Sequence, residues 1–271
     1  MSPYGVLIRL YNRVDEAAVT AGLIHRFLPE ATVVVVSNDF DGRFPIDQQE
    51  FPHVGLIHRP PSKFMTPMGW DGETSKSYDY KNHVIGDGET IREGNKLLLA
   101  MGCRYQLWLT ADAWILGRDF LVDGFQRLEK GAVWVSSAWT ELGSSLAYDV
   151  AFCDGRYVNN NEIWPCGAGH KSMLAYYNVN ITEKWLYQKF RECGALTRVQ
   201  VLRHIWPIHP EHSTGKPIEK WKYVEHEAGE WKRRGFFPEV PMVTYHADKI
   251  AGIEAKKKLA NKCAGEEVFK V

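Results

Sequence analysis

The chain has 271 residues, of which 45% are hydrophobic and 13% aromatic, so it can bury a core and is not a disordered segment. Lys and Arg together number 33, as do Asp and Glu, and this balance excludes a general attraction to nucleic acid. The sequence has no apolar run of about 18 residues, no signal-peptide pattern at its start and no CxxC pair, which predicts a cytoplasmic protein without a transmembrane segment.

The first forty residues predict a βαβ unit. The apolar run 5–10 is typical of a buried strand, and apolar residues then recur every three or four positions from Val14 to Leu28, until Pro29 ends the helix. The valine-rich run 32–36 indicates a second buried strand. Two strands joined by a crossover helix predict a parallel sheet.

The later segments continue the alternation of strands and helices. Residues 60–88 are rich in Pro, Gly and Ser and have no periodicity, so we expect a long loop there. Thr90 and Glu93 have the spacing of a capping box at the start of a helix. An amphipathic helix over 182–193 is predicted to end at Gly194. The other expected elements are strands at 54–58, 105–110, 132–138, 148–153 and 240–246, and a basic helix at 255–262.

Polar side chains follow three of the predicted strands. They are Tyr11, Asn12 and Arg13 after the first strand, Asn38 and Asp39 after the second, and Thr110 and Asp112 after strand 105–110. Because ligands of an open α/β sheet bind outside the carboxyl ends of its strands, these residues are candidate contacts for a nucleotide. Loops of any kind are also polar, so the pattern by itself fits an ordinary loop as well.

The strand YQLWLTADAWIL, together with the preceding βαβ unit, resembles the nucleotide-binding half of the GT-A glycosyltransferases. In that family an apolar strand enters an Asp-x-Asp motif; here Thr110 takes the place of the first Asp and Asp112 that of the second. The resemblance covers about residues 4–40 and 90–195. It implies a nucleotide-diphosphate sugar as donor and a divalent cation, Mn²⁺ or Mg²⁺, that neutralises the leaving diphosphate.

The resemblance also assigns further binding residues. His246 closes the strand-like run VTYHADK, where late histidines of the family complete the metal shell, and imidazole nitrogen is an acceptable ligand for Mn²⁺. Lys249 and Lys96 are expected to contact the nucleotide. Trp139 and Trp164 are candidate platforms on which a sugar ring stacks, although a tryptophan also serves as ordinary core.

The segment ITEKWLYQKFRECG resembles the helix that carries the catalytic base in inverting members of the family. Glu183 occupies the position of that base, with Thr182 in place of the acid that precedes it. A carboxylate in the first turn of a helix can accept a proton from an acceptor hydroxyl, but acids also favour this position for stability alone. Asp149 is the alternative base, and Glu141 and Asp154 rank below Glu183.

We therefore predict one α/β domain with a GT-A, Rossmann-like, mixed but mainly parallel sheet. Residues 1–117 form the expected nucleotide-binding half, 118–254 the acceptor and catalytic half, and 255–271 a basic C-terminal helix. The acceptor is left open: a glycan, a lipid-linked sugar, a protein or a modified nucleic acid. The basic clusters 232–234 and 256–258 fit either a polyanion contact or a solvated surface.

Two other functions fit the same α/β core. A sugar-phosphate nucleotidyltransferase normally has a glycine-rich, basic loop after its first strand, whereas the loop LYNRVDE here contains no glycine. The third hypothesis is a protein that binds a sugar or a nucleotide without catalysis. It fits the sequence because Thr110 and Thr182 each replace an acidic residue of the family motifs.

Overall fold

In the computed structural model, the described residues are 2–39, 42, 44–58, 80–136, 146, 148, 150–163, 182–201, 242–243, 252–264 and 267–270. The strands in these ranges are β1 (Tyr4–Leu10), β2 (Thr32–Ser37), β3 (Leu56–His58), β4 (Tyr105–Thr110), β5 (Trp114–Ile115), β6 (Trp134–Ser136), β7 (Val150–Asp154), β8 (Val199–Val201) and β9 (Met242–Val243). The α-helices are α1 (Val14–Phe27), α2 (Tyr80–Ala100), α3 (Arg118–Glu129), α4 (Gly155–Asn160), α5 (Thr182–Glu192) and α6 (Ile253–Ala264).

Seven of these strands form one mixed, mainly parallel sheet in the order β3-β2-β1-β4-β7-β6-β8. Strands β3, β2, β1 and β4 are parallel to one another, β7 is antiparallel to both β4 and β6, and β6 is parallel to β8. Strands β5 and β9 pair separately in an antiparallel ladder. The parallel sheet predicted from the βαβ pattern is confirmed.

Helices cover both faces of the sheet because the central strands are apolar on both sides, as expected for buried parallel strands. Val6 and Ile8 of β1 belong to the core beneath α1 and α3, whereas Leu7 belongs to the core beneath α2 and α5. At Gly94 of α2, an added Cβ would lie 2.3 Å from Leu7, so glycine allows this helix to approach the sheet closely.

The helix α2 corrects the predicted loop. It begins at Tyr80, so the part of 60–88 from residue 80 onward is helical, and Thr90 is a buried residue inside the helix rather than its cap. The glycines at 86 and 88 concealed the helix in the sequence, because glycine lowers helix propensity while packing on β1 and β2 overrides it. Residues 60–79 lie outside the described part of the chain.

Other boundaries agree with the sequence or shift slightly. Strand 105–110 is confirmed, and α5 ends before Gly194, whose φ of 65° is the left-handed conformation predicted for a helix stop. Helices α3 and α4 were not predicted. Within the described residues, no helix combines the length and the apolar character needed to cross a membrane.

Candidate functional site at the carboxyl edge of the sheet

The parallel strands β1, β2 and β4 end side by side, at Leu10, Ser37 and Thr110; we call this end of the sheet the carboxyl edge and the opposite end the amino edge. The register pairs Leu10 with Ser37, and Arg9 with Thr110. Three of the loops predicted to bind a nucleotide therefore start from neighbouring positions. Their shared location is the reason to treat this edge as the candidate site.

The loop between β1 and α1 carries Tyr11, Asn12 and Arg13. The Tyr11 ring meets the Phe44 ring edge-on, with 5.3 Å between centroids, and Asn12 is exposed. Arg13 donates from Nη1 to Glu16 Oε1 at 2.9 Å, and Glu16 is buried in the first turn of α1. The ion pair with Glu16 of α1 thus orients the Arg13 guanidinium. A positive and a negative side chain therefore lie next to each other at the carboxyl edge.

The loop after β2 is ordered by an aspartate. Asn38 donates its backbone N–H to Leu10 O at 2.9 Å, which extends the pairing of β1 and β2 by one residue. Asp39 is fully buried, and its Oδ2 accepts the backbone N–H of Phe44 at 2.8 Å. The Asp39 carboxylate therefore stabilises the loop in which Phe44 contacts Tyr11.

Asp112 lies in a tight turn directly after β4. Ala111 N–H donates to Arg9 O at 3.0 Å, and Ala113 N–H donates to Thr110 O at 3.1 Å, so the turn continues from the sheet. The hydroxyl of Thr20 in α1 lies 2.6 Å from Ala111 O and donates to it. Asp112 is only 4% exposed. These contacts hold its backbone rigidly beside the β1–α1 loop.

Lys256 of the C-terminal helix α6 contacts both α1 and the Asp112 turn, and the sequence pattern did not lead us to predict this. Its ammonium group is fully buried, forms an ion pair with Glu16 and donates to the backbone oxygen of Asp112 at 2.7 Å. Burial lowers the pKa of Lys256, and the negative charges of Asp112 and Glu16 oppose that shift.

The burial of Lys256 corrects the view of 256–258 as one basic surface cluster. Lys257 pairs with Glu254 on the same helix and Lys258 is exposed, so two of the three lysines remain outside. The sequence does distinguish Lys256 from its two neighbours. Lys256 falls three residues after Ile253 and four before Ala260, which places it on the apolar stripe of the helix.

Arg9 is a second buried charge that the sequence reasoning overlooked. It lies on the same face of the sheet as Thr110, donates from Nη2 to Tyr148 O at 3.0 Å, and stacks over the Tyr148 ring at 4.6 Å. Arg9 thus ties β1 to the segment that leads into β7. A lone arginine near the end of an otherwise apolar strand was the available signal.

Lys96 is not brought to the carboxyl edge. Helix α2 runs against β1, because Gly94 lies beside Leu7 whereas Leu98 lies beside Gly5. Lys96, between them, is therefore level with the amino half of β1, where it is exposed and pairs with Glu93 at 3.4 Å.

Asp154 also lies at the amino edge, which removes it as a candidate base. It pairs with Tyr105 at the start of β4 and accepts a hydrogen bond from Arg104 Nη2 at 2.6 Å. Its other oxygen accepts the backbone N–H groups of Arg156 and Tyr157, so it caps α4. Both oxygens serve the fold, at the far end of the sheet from Asp112.

Glu183 belongs to the first turn of α5, as predicted. Near the other end of this helix, the Phe190 ring lies 5.4 Å from that of Trp134, which begins β6 at the amino edge. Glu183 precedes Phe190 by seven residues, or about 10 Å along the helix axis.

Six candidate site residues lie outside the described part of the chain: Glu141, Asp149, Trp139, Trp164, His246 and Lys249. Within the described part, no three His, Cys, Asp or Glu side chains are grouped as a metal site. Asp112 offers a buried carboxylate and Thr110 a hydroxyl, which are oxygen ligands of the kind that Mn²⁺ and Mg²⁺ accept, so the described residues fit part of a coordination shell.

Comparisons with known proteins identify the fold. The galactosyltransferase LgtC, in complex with donor and acceptor sugar analogues, matches with a TM-score of 0.51 at 10% identity, over 98% of this chain and 97% of that one. Weaker matches are TarS of S. aureus with UDP-GlcNAc (TM-score 0.46, 11% identity, 74% of this chain and 56% of that one) and core-mannan synthase A of Aspergillus fumigatus in its Mn/GDP form (0.47, 8%, 76% and 73%).

The chain spans 35% to 57% of the length of the TarS structures that it matches. No protein-family model matches the sequence, and no curated protein matches it in sequence. The mixed seven-stranded sheet and the match to LgtC along nearly the whole chain show the GT-A fold that the sequence predicted.

Proposed function

We propose that this protein is a glycosyltransferase that moves a sugar from a nucleotide-diphosphate sugar to an acceptor hydroxyl. The observation that carries the proposal is the buried Asp112, held in a rigid turn at the carboxyl edge of a GT-A sheet and next to the β1–α1 loop. Ligands of open α/β sheets bind at this edge. The match to LgtC, whose structure contains donor and acceptor sugar analogues, agrees with this class of reaction.

The nucleotide is bound by the loops of the carboxyl edge in this proposal. Tyr11, Asn12 and Arg13 contact the nucleoside and its phosphates, and Asn38, Asp39 and Thr110 complete the pocket from the adjacent strands. Arg13 supplies positive charge at the edge, beside the acidic side chains that hold a cation. Lys249 is assigned to a phosphate, and Lys96 is left out because of its position near the amino edge.

Asp112 and His246 are the proposed ligands of Mn²⁺ or Mg²⁺. The β5–β9 ladder supports this pair: Trp114 pairs with Val243 and Ile115 with Met242, so β9 runs in the direction of the Asp112 turn. His246 follows Val243 by three residues in the sequence. A bound cation supplies positive charge to the departing diphosphate.

Glu183 is the proposed general base, and the reaction is proposed to invert the anomeric centre. The acceptor oxygen forms a bond to the anomeric carbon as the bond from that carbon to the diphosphate oxygen breaks. The acceptor proton passes to the Glu183 carboxylate, and the nucleoside diphosphate leaves with the bonding electron pair. Asp149 is the alternative base, and Trp139 and Trp164 are the proposed platforms for the sugar rings.

The test is a thermal-shift screen of UDP, GDP and dTDP, with and without Mn²⁺. A ligand that binds only the folded state raises the melting temperature by mass action, so one diphosphate should stabilise the protein and Mn²⁺ should increase the effect. If none of the three does so under either condition, the proposal is wrong.

Two measurements separate the other candidate functions. Slow hydrolysis of the sugar donor distinguishes an enzyme from a protein that only binds. Stabilisation by a nucleoside triphosphate, rather than by a diphosphate, would indicate a nucleotidyltransferase; the loop after β1, which lacks glycine, speaks against this outcome.

A further inference from the structure

Lys256 is a charged side chain with no exposed surface, placed where α6 crosses α1 and the turn after β4. Its ammonium group reaches two different segments: the carboxylate of Glu16 in α1 and the backbone oxygen of Asp112, which lies 2.7 Å away. It also lies 4.4 Å from the centre of the Trp114 ring. One side chain thus joins α6, α1 and β5 around the peptide group of Asp112.

These contacts do more than an ordinary stabilising ion pair requires. A buried ion pair is weak evidence for stability, because desolvation offsets most of its attraction and well-packed apolar residues often serve equally well. The bond to the Asp112 oxygen, by contrast, fixes the orientation of that peptide group, and hence the direction in which the Asp112 side chain leaves the backbone. An apolar residue at position 256 could not do this.

Two described elements that follow one another late in the chain are held close to the Asp112 turn. Strand β9 pairs with Trp114 and Ile115 of β5. Helix α6 is held there by Lys256, which binds Asp112 O. The β5–β9 ladder and Lys256 thus hold both elements within three residues of Asp112.

We propose that Lys256 is a positioning residue, which locks the Asp112 turn to α1 and α6 and so sets the geometry of metal and diphosphate binding. Its effect on ligand binding rests on the proposed function, whereas its effect on the turn does not. When a group that hydrogen-bonds to a metal ligand and orients it is removed, metal affinity typically falls by about 10–100-fold.

The experiment replaces Lys256 by Met, which keeps an unbranched side chain as far as the ε position and removes the ammonium group. Hydrogen exchange is measured at the amides of Ala111 and Ala113, which donate to Arg9 O and Thr110 O in the parent. Their protection is expected to fall by about 10-fold or more, while the amides of β1 and β2 keep theirs. UDP, GDP and dTDP are titrated with Mn²⁺ into the same samples, and affinity is expected to fall by about 10-fold or more.

Two further variants keep the test decisive. Lys257→Met removes a lysine that pairs along α6 with Glu254, so it should change neither protection at the turn nor affinity. If Lys256→Met folds poorly because Glu16 is left buried, the double variant Lys256→Met with Glu16→Gln removes both charges. It should recover stability without recovering the protection of Ala111 and Ala113.

The possible results decide the two claims separately. Unchanged protection at Ala111 and Ala113 overturns the locking role of Lys256, and lost protection with unchanged affinity overturns its role in ligand binding. If the parent binds none of the three diphosphates, the proposed function fails, and exchange at the turn alone then decides whether Lys256 locks it.

Discussion

The amino and carboxyl edges of the sheet both hold buried polar side chains, but these side chains have different partners. At the amino edge, Asp154 is bound by Arg104 and by two amides of α4. Gln106 accepts hydrogen bonds from Asn95 and Trp108, each at 3.1 Å. Asn95 also donates to Gly155 O, so these contacts connect α2, β4 and α4 and form a structural amino-edge network.

At the carboxyl edge, the buried polar side chains bind loop backbone instead. Lys256 donates to the oxygen of Asp112, Thr20 to that of Ala111 and Arg9 to that of Tyr148. The first two contacts hold the turn after β4, and the third holds the segment that leads into β7. A buried charge is therefore not in itself a sign of a binding site. The carboxyl edge is the candidate site because its buried polar groups hold loops at the edge where ligands of this fold bind.

The largest expected effect is the loss of turnover in Glu183→Gln, which tests whether α5 supplies the general base of the site at the carboxyl edge. Glutamine keeps the shape but cannot take a proton, so turnover should fall by about 10²–10⁴-fold while donor affinity stays near that of the parent. The measurement is steady-state transfer with the sugar donor that binds best. Glu192→Gln, at the opposite end of the same helix, should retain activity. Near-parental turnover of Glu183→Gln, or a product that retains the anomeric configuration, would rule out this role and make Asp149 the next residue to change.

The next effect is on stability and tests the amino edge. Asp154→Ala removes the cap of α4 and the charged hydrogen bonds to Arg104, so unfolding in urea should show a loss of about 2–4 kcal/mol. Asp119→Ala, an exposed acid in the first turn of α3, is the control and should have a much smaller effect. If Asp154→Ala is as stable as the control, the amino-edge network is not structural.

A smaller effect is expected for Thr20→Val, which removes the hydroxyl that binds Ala111 O. The buried oxygen then loses a donor, and the free energy of unfolding should fall by about 1–2 kcal/mol in urea. Thr20→Ser restores the hydroxyl and should recover most of that loss. Equal stability of the Val and Ser variants would mean that this bond does not hold the Asp112 turn.

The smallest effect concerns Glu89, a buried acid of α2 that pairs with Arg92 and lies towards the carboxyl edge from Gly94. Burial raises the pKa of Glu89, so the folded protein keeps its proton to a higher pH than the unfolded chain. As the pH rises from about 4.5 through the raised pKa, ionisation therefore lowers stability. Glu89→Gln lacks this titration and should gain stability relative to the parent between pH 4 and pH 7. Glu93→Gln, partly exposed on the same helix, is the control; a gain that is the same at both pH values would contradict the shift.

The periodicity of the sequence predicted β1, α1, β2 and β4 because these segments bury regular apolar faces, and their order then located the carboxyl edge. The turn at Asp112 followed from that order. Lys256 was misjudged because it was grouped with the surface lysines Lys257 and Lys258, although its spacing from Ile253 and Ala260 places it on the apolar stripe of α6. Arg9 and the extension of α2 to Tyr80 depend on contacts between segments distant in sequence, which local patterns do not contain.

Binding of a nucleotide at the carboxyl edge is tested by comparing Asp112→Asn with Asp154→Ala, one variant for each edge of the sheet. The nucleoside diphosphate that stabilises the parent most is titrated calorimetrically with Mn²⁺ into all three proteins, at a temperature where each is folded. We expect Asp112→Asn to lose at least about 10-fold in affinity together with its response to Mn²⁺, because it removes a proposed metal ligand, whereas Asp154→Ala should bind like the parent. Parental affinity and an unchanged response to Mn²⁺ in Asp112→Asn would contradict this expectation.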